Sequence, residues 1–207
     1  MNYRAVGNRC AVDIDDLGLP LSRKRVMKIL AGQNFIEITI DLVVLARQCI
    51  GVSKYRRGAA PELAPGIVDC SSFVRWLYGH KGIWLPRRSI QQMAVGRATR
   101  LASADAGDLI FTTGPINYYV RDPDSGVGHV GFVTNAKTVI HAAGEHRGVI
   151  ETPLEQFIGG RNKLRGIRRY LPKTKSILTL QTPPGKTVET SDDIKWIVLQ
   201  CLPDNTS

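Results

Sequence analysis

Cys70 lies in the segment Asp69-Cys70-Ser71-Ser72-Phe73, with Phe73, Trp76 and Leu77 at helical spacing and Asp69 placed as an N-cap. That puts the thiol in the first turn of a helix, where unpaired backbone N–H groups and the helix dipole favour an anion and lower a thiol pKa towards the reactive range. Position alone leaves two readings open, a nucleophile or a small buried apolar residue. A nucleophilic thiol needs an imidazole to accept its proton and return it to a leaving amine, and that imidazole needs a third group to fix its tautomer. Two histidines, His129 in Gly128-His129-Val130-Gly131 and His141 in Ile140-His141-Ala142, flank a turn at Thr134-Asn135-Ala136-Lys137. A hairpin centred near Asn135 makes them direct cross-strand neighbours on one face, with Cβ atoms roughly 5 Å apart. Cys70, His129 and His141 then supply nucleophile, base and orienting group; the alternative is two half-buried strand histidines without a catalytic role.

The elements that must position these residues are legible around them. Ser22 caps a short basic helix with Val26, Ile29 and Leu30 on one stripe before Gly32, and Leu42, Leu45, Ala46 and Cys49 repeat the spacing before Gly51. A Gly-, Pro- and Ala-rich linker from Gly58 to Gly66 delivers the chain to the Cys70 helix. From Leu109 the pattern turns to strands: Leu109 to Phe111, Val130 to Thr134, Thr138 to Ala142 and Leu164 to Tyr170. Helices first and strands second, without strand–helix–strand alternation, imply an α+β fold in which N-terminal helices pack on an antiparallel β-sheet meander. After Pro183-Pro184-Gly185, one more amphipathic element is expected around Ile194 to Leu202. The organisation expected is an N-terminal helical extension over 1–36, a catalytic domain over 37–172 and a C-terminal extension over 173–207.

Composition sets the outer limits. The 207 residues, 43% hydrophobic and 22% charged, suit a folded globular chain that buries about 70% of its unfolded surface. The most apolar stretch, Ile36 to Ile50, is broken by Glu37, Asp41 and Arg47, which excludes membrane insertion there. No apolar segment of signal-peptide length follows Met1, so the ordinary secretory route finds no support, and action in the cytoplasm, delivery by a phage particle or a dedicated secretion system stays open. The four cysteines have neither zinc-site spacing nor the density of a disulfide scaffold, so no metal or cofactor is expected; Cys10, Cys49 and Cys201 read as structural. The formal charge of +10 favours polyanions in general. Arg161, Lys163, Arg165, Arg168, Arg169, Lys173 and Lys175 form either a solvated face or a contact for an anionic polymer, and they lack the interleaved aromatics of a nucleic-acid platform.

Taken together, the motifs resemble the NlpC family of bacterial cell-wall cysteine endopeptidases, a circularly rearranged branch of the papain-like fold. Asp69-Cys70-Ser71-Ser72-Phe73 is similar to the family's Asp-Cys-Ser-Gly nucleophile motif, and Pro86-Arg87-Arg88-Ser89 with Gln92 to its Pro-Arg-x-Ser…Gln segment. Ala106-Gly107-Asp108-Leu109-Ile110-Phe111 matches its Pro-Gly-Asp-Leu turn and strand, and the two histidine segments match its two histidine strands. The resemblance, over about Leu42 to Arg169, implies hydrolysis of an amide in a peptidoglycan peptide or muropeptide, typically between γ-linked D-glutamate and the next diamino acid. It implies Cys70 as nucleophile, His129 as base, His141 as its orienting partner and Tyr55 near the oxyanion. It further implies Asp69, Ser71 and Arg87 on the substrate side, where Asp69 would suit a stem amine and Arg87 a carboxylate. Three departures stand out: Tyr55-Arg56-Arg57-Gly58-Ala59 in place of Tyr-x-x-Gly-Gly, Ser72 in place of Gly, and a longer link from Thr112 to Val127 whose Tyr118, Tyr119 and Arg121 are placed to wall the cleft. Rival readings keep the trio as an amidase, thioesterase or acyltransferase on another substrate, or discard catalysis for wall binding; a polar rather than apolar cleft would separate the first group from a murein peptidase.

Overall fold

The computed structural model describes residues 2–172 and 177–202. The chain divides into two compact units, one made of segments 1–40, 78–84 and 172–207, the other of 41–77 and 85–171. The first unit begins with β1 (Arg9–Asp13), α1 (Arg23–Gly32) and β2 (Ile36–Ile38). The second follows with α2 (Leu42–Arg47), β3 (Lys54–Tyr55), β4 (Ile67–Val68), α3 (Cys70–His80), α4 (Ser89–Val95) and β5 (Arg97–Thr99). It continues through β6 (Leu109–Thr112), β7 (His129–Val133), β8 (Thr138–Gly144), β9 (Gly148–Pro153), α5 (Leu154–Ile158) and β10 (Leu164–Arg169). The chain then returns to the first unit with β11 (Ile177–Gln181) and α6 (Ser191–Gln200).

In the second unit, six strands form one antiparallel sheet in the order β5-β10-β6-β7-β8-β9, so β6 to β9 are the expected meander. Ile110, Val133, Val139, Phe157 and Ile167 make one of its buried apolar clusters. Asp41 caps α2 by accepting from the N–H groups of Val43 and Val44 at 2.9 and 3.1 Å. No helix among the described residues is long and apolar enough to cross a membrane.

The first unit differs from the expected pair of extensions. Its terminal segments share a three-stranded antiparallel sheet, β1-β11-β2, and one apolar core in which Val12, Val26, Leu30, Leu180, Ile194 and Val198 are buried. Residues 1–36 therefore hold a strand as well as a helix. β1 escapes pattern reading because its central Cys10, Ala11 and Val12 are all buried, a run of three without the alternation that marks a strand. His80 is half-buried with Nδ1 2.7 Å from Arg9 Nη1, and Cys201, expected as structural, is exposed.

Three members of the basic run are engaged within the fold, whereas Arg161 and Lys163 are exposed. Arg169 is buried and grips Asp108 through Nε–Oδ1 and Nη2–Oδ2 hydrogen bonds of 2.8 and 2.6 Å, and it also donates to the carbonyl of Ser103. Arg168 donates to the carbonyls of Met93 and Ile167, and Arg165 to that of Gly126. These three are spoken for by the backbone and a carboxylate, while Lys173 and Lys175 lie outside the described residues. Asp108→Ala should strand the Arg169 cation in the interior and lower stability by about 3 to 5 kcal/mol. A loss under about 1 kcal/mol in urea unfolding would contradict that account of the pair.

Candidate active site

The start of α3 is organised by Asp69. Its Oδ1 accepts from the Ser72 N–H at 2.7 Å, and the Ser72 hydroxyl accepts from the Asp69 N–H at 2.8 Å, which closes a reciprocal capping box. Ser72, the departure from Gly, is thus a buried capping residue rather than an addition to the cleft wall. The same carboxylate accepts from the Gly58 N–H at 3.1 Å and the Ser71 hydroxyl at 3.0 Å, and from Arg87 Nη1 and Nη2 at 3.1 and 2.6 Å. Asp69 and Arg87, expected as separate anchors for an ammonium and a carboxylate, therefore neutralise each other. Burial alone would raise the Asp69 pKa, but the Arg87 guanidinium, the Ser72 N–H and the Ser71 hydroxyl outweigh it and hold the carboxylate below its usual range. Gln92 supports the same turn from below, donating Nε2 to the carbonyls of Ser71 and Pro86 at 3.0 and 2.9 Å.

Cys70 is the first residue of α3 and half-buried. Burial, with the Asp69 charge second, pushes its thiol up to about 12, against the lowering expected from the helix start. Smaller contributions favour the thiolate: the Val130 N–H of β7, the Ser71 N–H of the helix start and the Arg87 charge. The resting thiol is accordingly neutral.

His129 and His141 lie on one face of adjacent strands, but not directly opposite. The β7–β8 register pairs Phe132 with Ile140 and Val133 with Val139, which carries Gly131 opposite His141 and sets His129 on the diagonal. The sum of the paired positions is two higher than a turn centred on Asn135 would give. The rings nonetheless meet, with His129 Nε2 2.9 Å from His141 Nδ1 and centroids 5.0 Å apart. His141 Nε2 lies 3.1 Å from the Thr152 hydroxyl on β9, so the polar line crosses three strands. Phe157 covers both imidazoles, with centroids 5.5 Å from His129 and 4.8 Å from His141. Gly131 makes this possible, since a Cβ there would fall 2.2 Å from Val139 Cγ1 and 3.0 Å from Phe157 Cζ. Burial first, with the Arg147 charge, lowers the His129 pKa to about 4; for His141, burial, His129 and Arg147 lower it to about 3. Both rings are neutral at pH 7.

A cavity of about 380 Å³ opens beside Cys70, lined by Tyr55, Asp69, Ser71 and Arg87 and also by Arg57 and Arg88. Tyr55 stays protonated, because burial and the neighbouring Cys70 and Asp69 raise its pKa. The β6–β7 link supplies Pro115, Ile116 and Tyr118 to the wall, whereas Tyr119 and Arg121 are exposed and outside it. The link reaches the cleft because Gly128 has no side chain: a Cβ would stand 2.5 Å from the Gly114 nitrogen and the Ile116 oxygen. Among the described residues, no group of three or more His, Cys, Asp or Glu side chains is placed to hold a metal ion. Thr152, Phe157, Arg57 and Arg88 were not singled out by spacing. Thr152 and Phe157 belong to β9 and α5, whose positions the sequence pattern did not reveal.

Because the folded imidazoles resist protonation, the unfolded chain takes up their protons first, near pH 6.5. Stability should be fully present above that pH and fall as pH drops towards 4, at up to about 1.4 kcal/mol per pH unit for each ring. His141→Asn should flatten the slope in urea titrations between pH 4 and 6.5; an unchanged slope would contradict the burial of a neutral His141.

The NlpC/P60 family model matches residues 52–164. A γ-DL-glutamyl hydrolase of Bacillus subtilis is 28% identical over 148 residues, covering 69% of this chain and 33% of that protein. A γ-D-glutamyl-L-lysine dipeptidyl-peptidase of Bacillus cereus is 34% identical over 105 residues, covering 50% of this chain and 29% of its own length. A probable endopeptidase of Corynebacterium glutamicum is 36% identical over 101 residues, covering 49% and 41% respectively. The chain thus spans between 29% and 41% of the length of these curated relatives. Among solved structures, NlpC1 of Trichomonas vaginalis superposes with a TM-score of 0.53 at 24% identity, covering 64% of this chain and 44% of that one. NlpC2 of the same organism gives 0.52 at 22%, covering 64% and 46%. With the helix-start cysteine, the paired histidine strands and a family match over more than half its length, the chain belongs to the NlpC/P60 family.

Proposed function

We propose that this protein is a cysteine endopeptidase that hydrolyses the amide between γ-linked D-glutamate and the following diamino acid of a peptidoglycan stem. The observation that carries the reading is the 2.9 Å contact of His129 Nε2 with His141 Nδ1, with the N–H of Val130, the residue after His129 on β7, hydrogen-bonded to the Cys70 sulfur. In this reading His129 Nε2 carries the hydrogen and donates to His141 Nδ1, which leaves His129 Nδ1 free to accept the thiol proton and His141 Nε2–H to donate to Thr152. The cleft chemistry favours a charged peptide over an acyl chain, since Asp69, Ser71, Arg57, Arg87 and Arg88 line it. The names of the γ-glutamyl-cleaving relatives point the same way.

In this mechanism the Cys70 proton moves to His129 as sulfur attacks the amide carbon. The resulting oxyanion is met by the Cys70 backbone N–H, which has no acceptor within the helix, and by the Tyr55 hydroxyl. Collapse expels the amine with the proton from His129 and leaves a thioester. Water, deprotonated by the same His129, then releases the acid and restores the thiol. The neutral resting imidazole is the protonation state a base requires.

Mass spectrometry of products from defined muropeptides should locate the cut bond; cleavage elsewhere, or none, would refute the substrate assignment. Folded Cys70→Ala should be inactive, and His129→Ala should lose about 10² to 10⁴ in kcat. His141→Asn, which can still orient the base, should lose less, and Thr152→Val about five- to tenfold, the worth of one hydrogen bond. Equal losses at positions 129 and 141 would contradict their separate roles.

A further inference from the structure

Three guanidinium groups line the cavity at Cys70, and they are not equivalent. Arg87 is consumed by Asp69. Arg57 and Arg88 form no ion pair among the described residues. Both instead converge on Tyr118: Arg57 Nη2 donates to the Tyr118 hydroxyl at 3.4 Å, and Arg88 Cζ stands 5.4 Å from the centroid of its ring. Tyr118 is itself fixed by two backbone hydrogen bonds with Val127, of 3.0 and 2.9 Å, and the Asn117 side chain clasps Gly114 beside it. The lining thus contains one carboxylate, already satisfied, against three cations, with two cations left over. Arg57 also feels Cys70 and Tyr55 electrostatically, which places its charge near the reacting sulfur.

We propose that Arg57 and Arg88, linked through Tyr118, form a carboxylate-binding subsite that selects substrates with a free carboxylate next to the scissile amide. The proposal rests on the peptidase reading and sharpens its substrate. A γ-linked glutamyl residue keeps its α-carboxylate free, whereas the corresponding isoglutamine presents a neutral carboxamide of the same shape. A guanidinium fork matches the two oxygens of a carboxylate, but faces a like N–H donor in the amide, so amidation should cost about tenfold or more in kcat/KM. The three side chains come from positions where this chain departs from, or is unconstrained by, the family's motifs: the Tyr55-Arg56-Arg57-Gly58 segment, the variable place in Pro86-Arg87-Arg88-Ser89 and the extended β6–β7 link.

Two synthetic stem tetrapeptides, identical except for D-glutamate or D-isoglutamine before lysine, test this on the full chain. The native protein should cut the D-glutamate form at least about tenfold better, and Arg57→Gln and Arg88→Gln should each bring the ratio towards one by lowering the D-glutamate rate more than the other. A native ratio near one, or an unaltered ratio in both variants, overturns the subsite and leaves the peptidase reading intact. If neither peptide is cut, the peptidase reading has failed, and calorimetry on Cys70→Ala decides the subsite. Tighter, salt-sensitive binding of the D-glutamate form sustains it, and equal binding of the two forms refutes it.

Discussion

The Asp69 carboxylate is the interaction on which the site depends. One side chain caps α3 and so fixes where Cys70 begins the helix, and it also orders the Gly58 backbone, the Ser71 hydroxyl and the Arg87 guanidinium. Five hydrogen bonds to a mostly buried anion are costly to replace, because removing the acceptor leaves several donors unpaired at once. The Gly58 contact draws the segment after Tyr55 to the start of α3, and Arg87 ties in the segment before α4. Gln92 then braces the Ser71 carbonyl from α4. A cleft wall made of loops thereby acquires the rigidity of the helix it surrounds.

The histidine face obeys a different constraint, that of packing. Two neutral imidazoles are held on the sheet by Phe157, and that ring fits only because Gly131 leaves room for it. The apolar cover contributes to the burial that lowers both imidazole pKa values. Gly128 has the parallel role towards the β6–β7 link. The Gly-His-Val-Gly segment therefore reads as two steric permissions flanking the His129 imidazole.

Much of this was legible in the sequence, and the gaps have physical causes. The cap at Asp69, the helix from Cys70 and the strands bearing His129 and His141 follow from short-range capping and periodicity. The exact pairing of the histidines did not, because a turn can be centred one residue away and still leave both rings on one face, a diagonal apart. The helix-start argument gave the right direction for one contribution to the thiol pKa, but burial depends on tertiary packing and outweighs it. Likewise the pairing of Asp69 with Arg87, and of Asp108 with Arg169, converts apparent surface charges into internal ties that composition counts as free. The sharing of one sheet by the chain's two terminal segments is a non-local pairing of β1 with β11, which no local pattern encodes.

In the proposed reaction Cys70 attacks the stem amide and carries the γ-glutamyl fragment as a thioester. Acid-quenching the full protein during turnover, with Cys201→Ser to remove the exposed thiol, and digesting it for mass spectrometry tests this directly. The peptide containing Cys70 should gain the mass of the acyl fragment, lose it on treatment with hydroxylamine, and show neither change in Cys70→Ala. Peptide cleavage by a folded Cys70→Ala protein, or an acyl mass on a residue other than Cys70, would contradict the account.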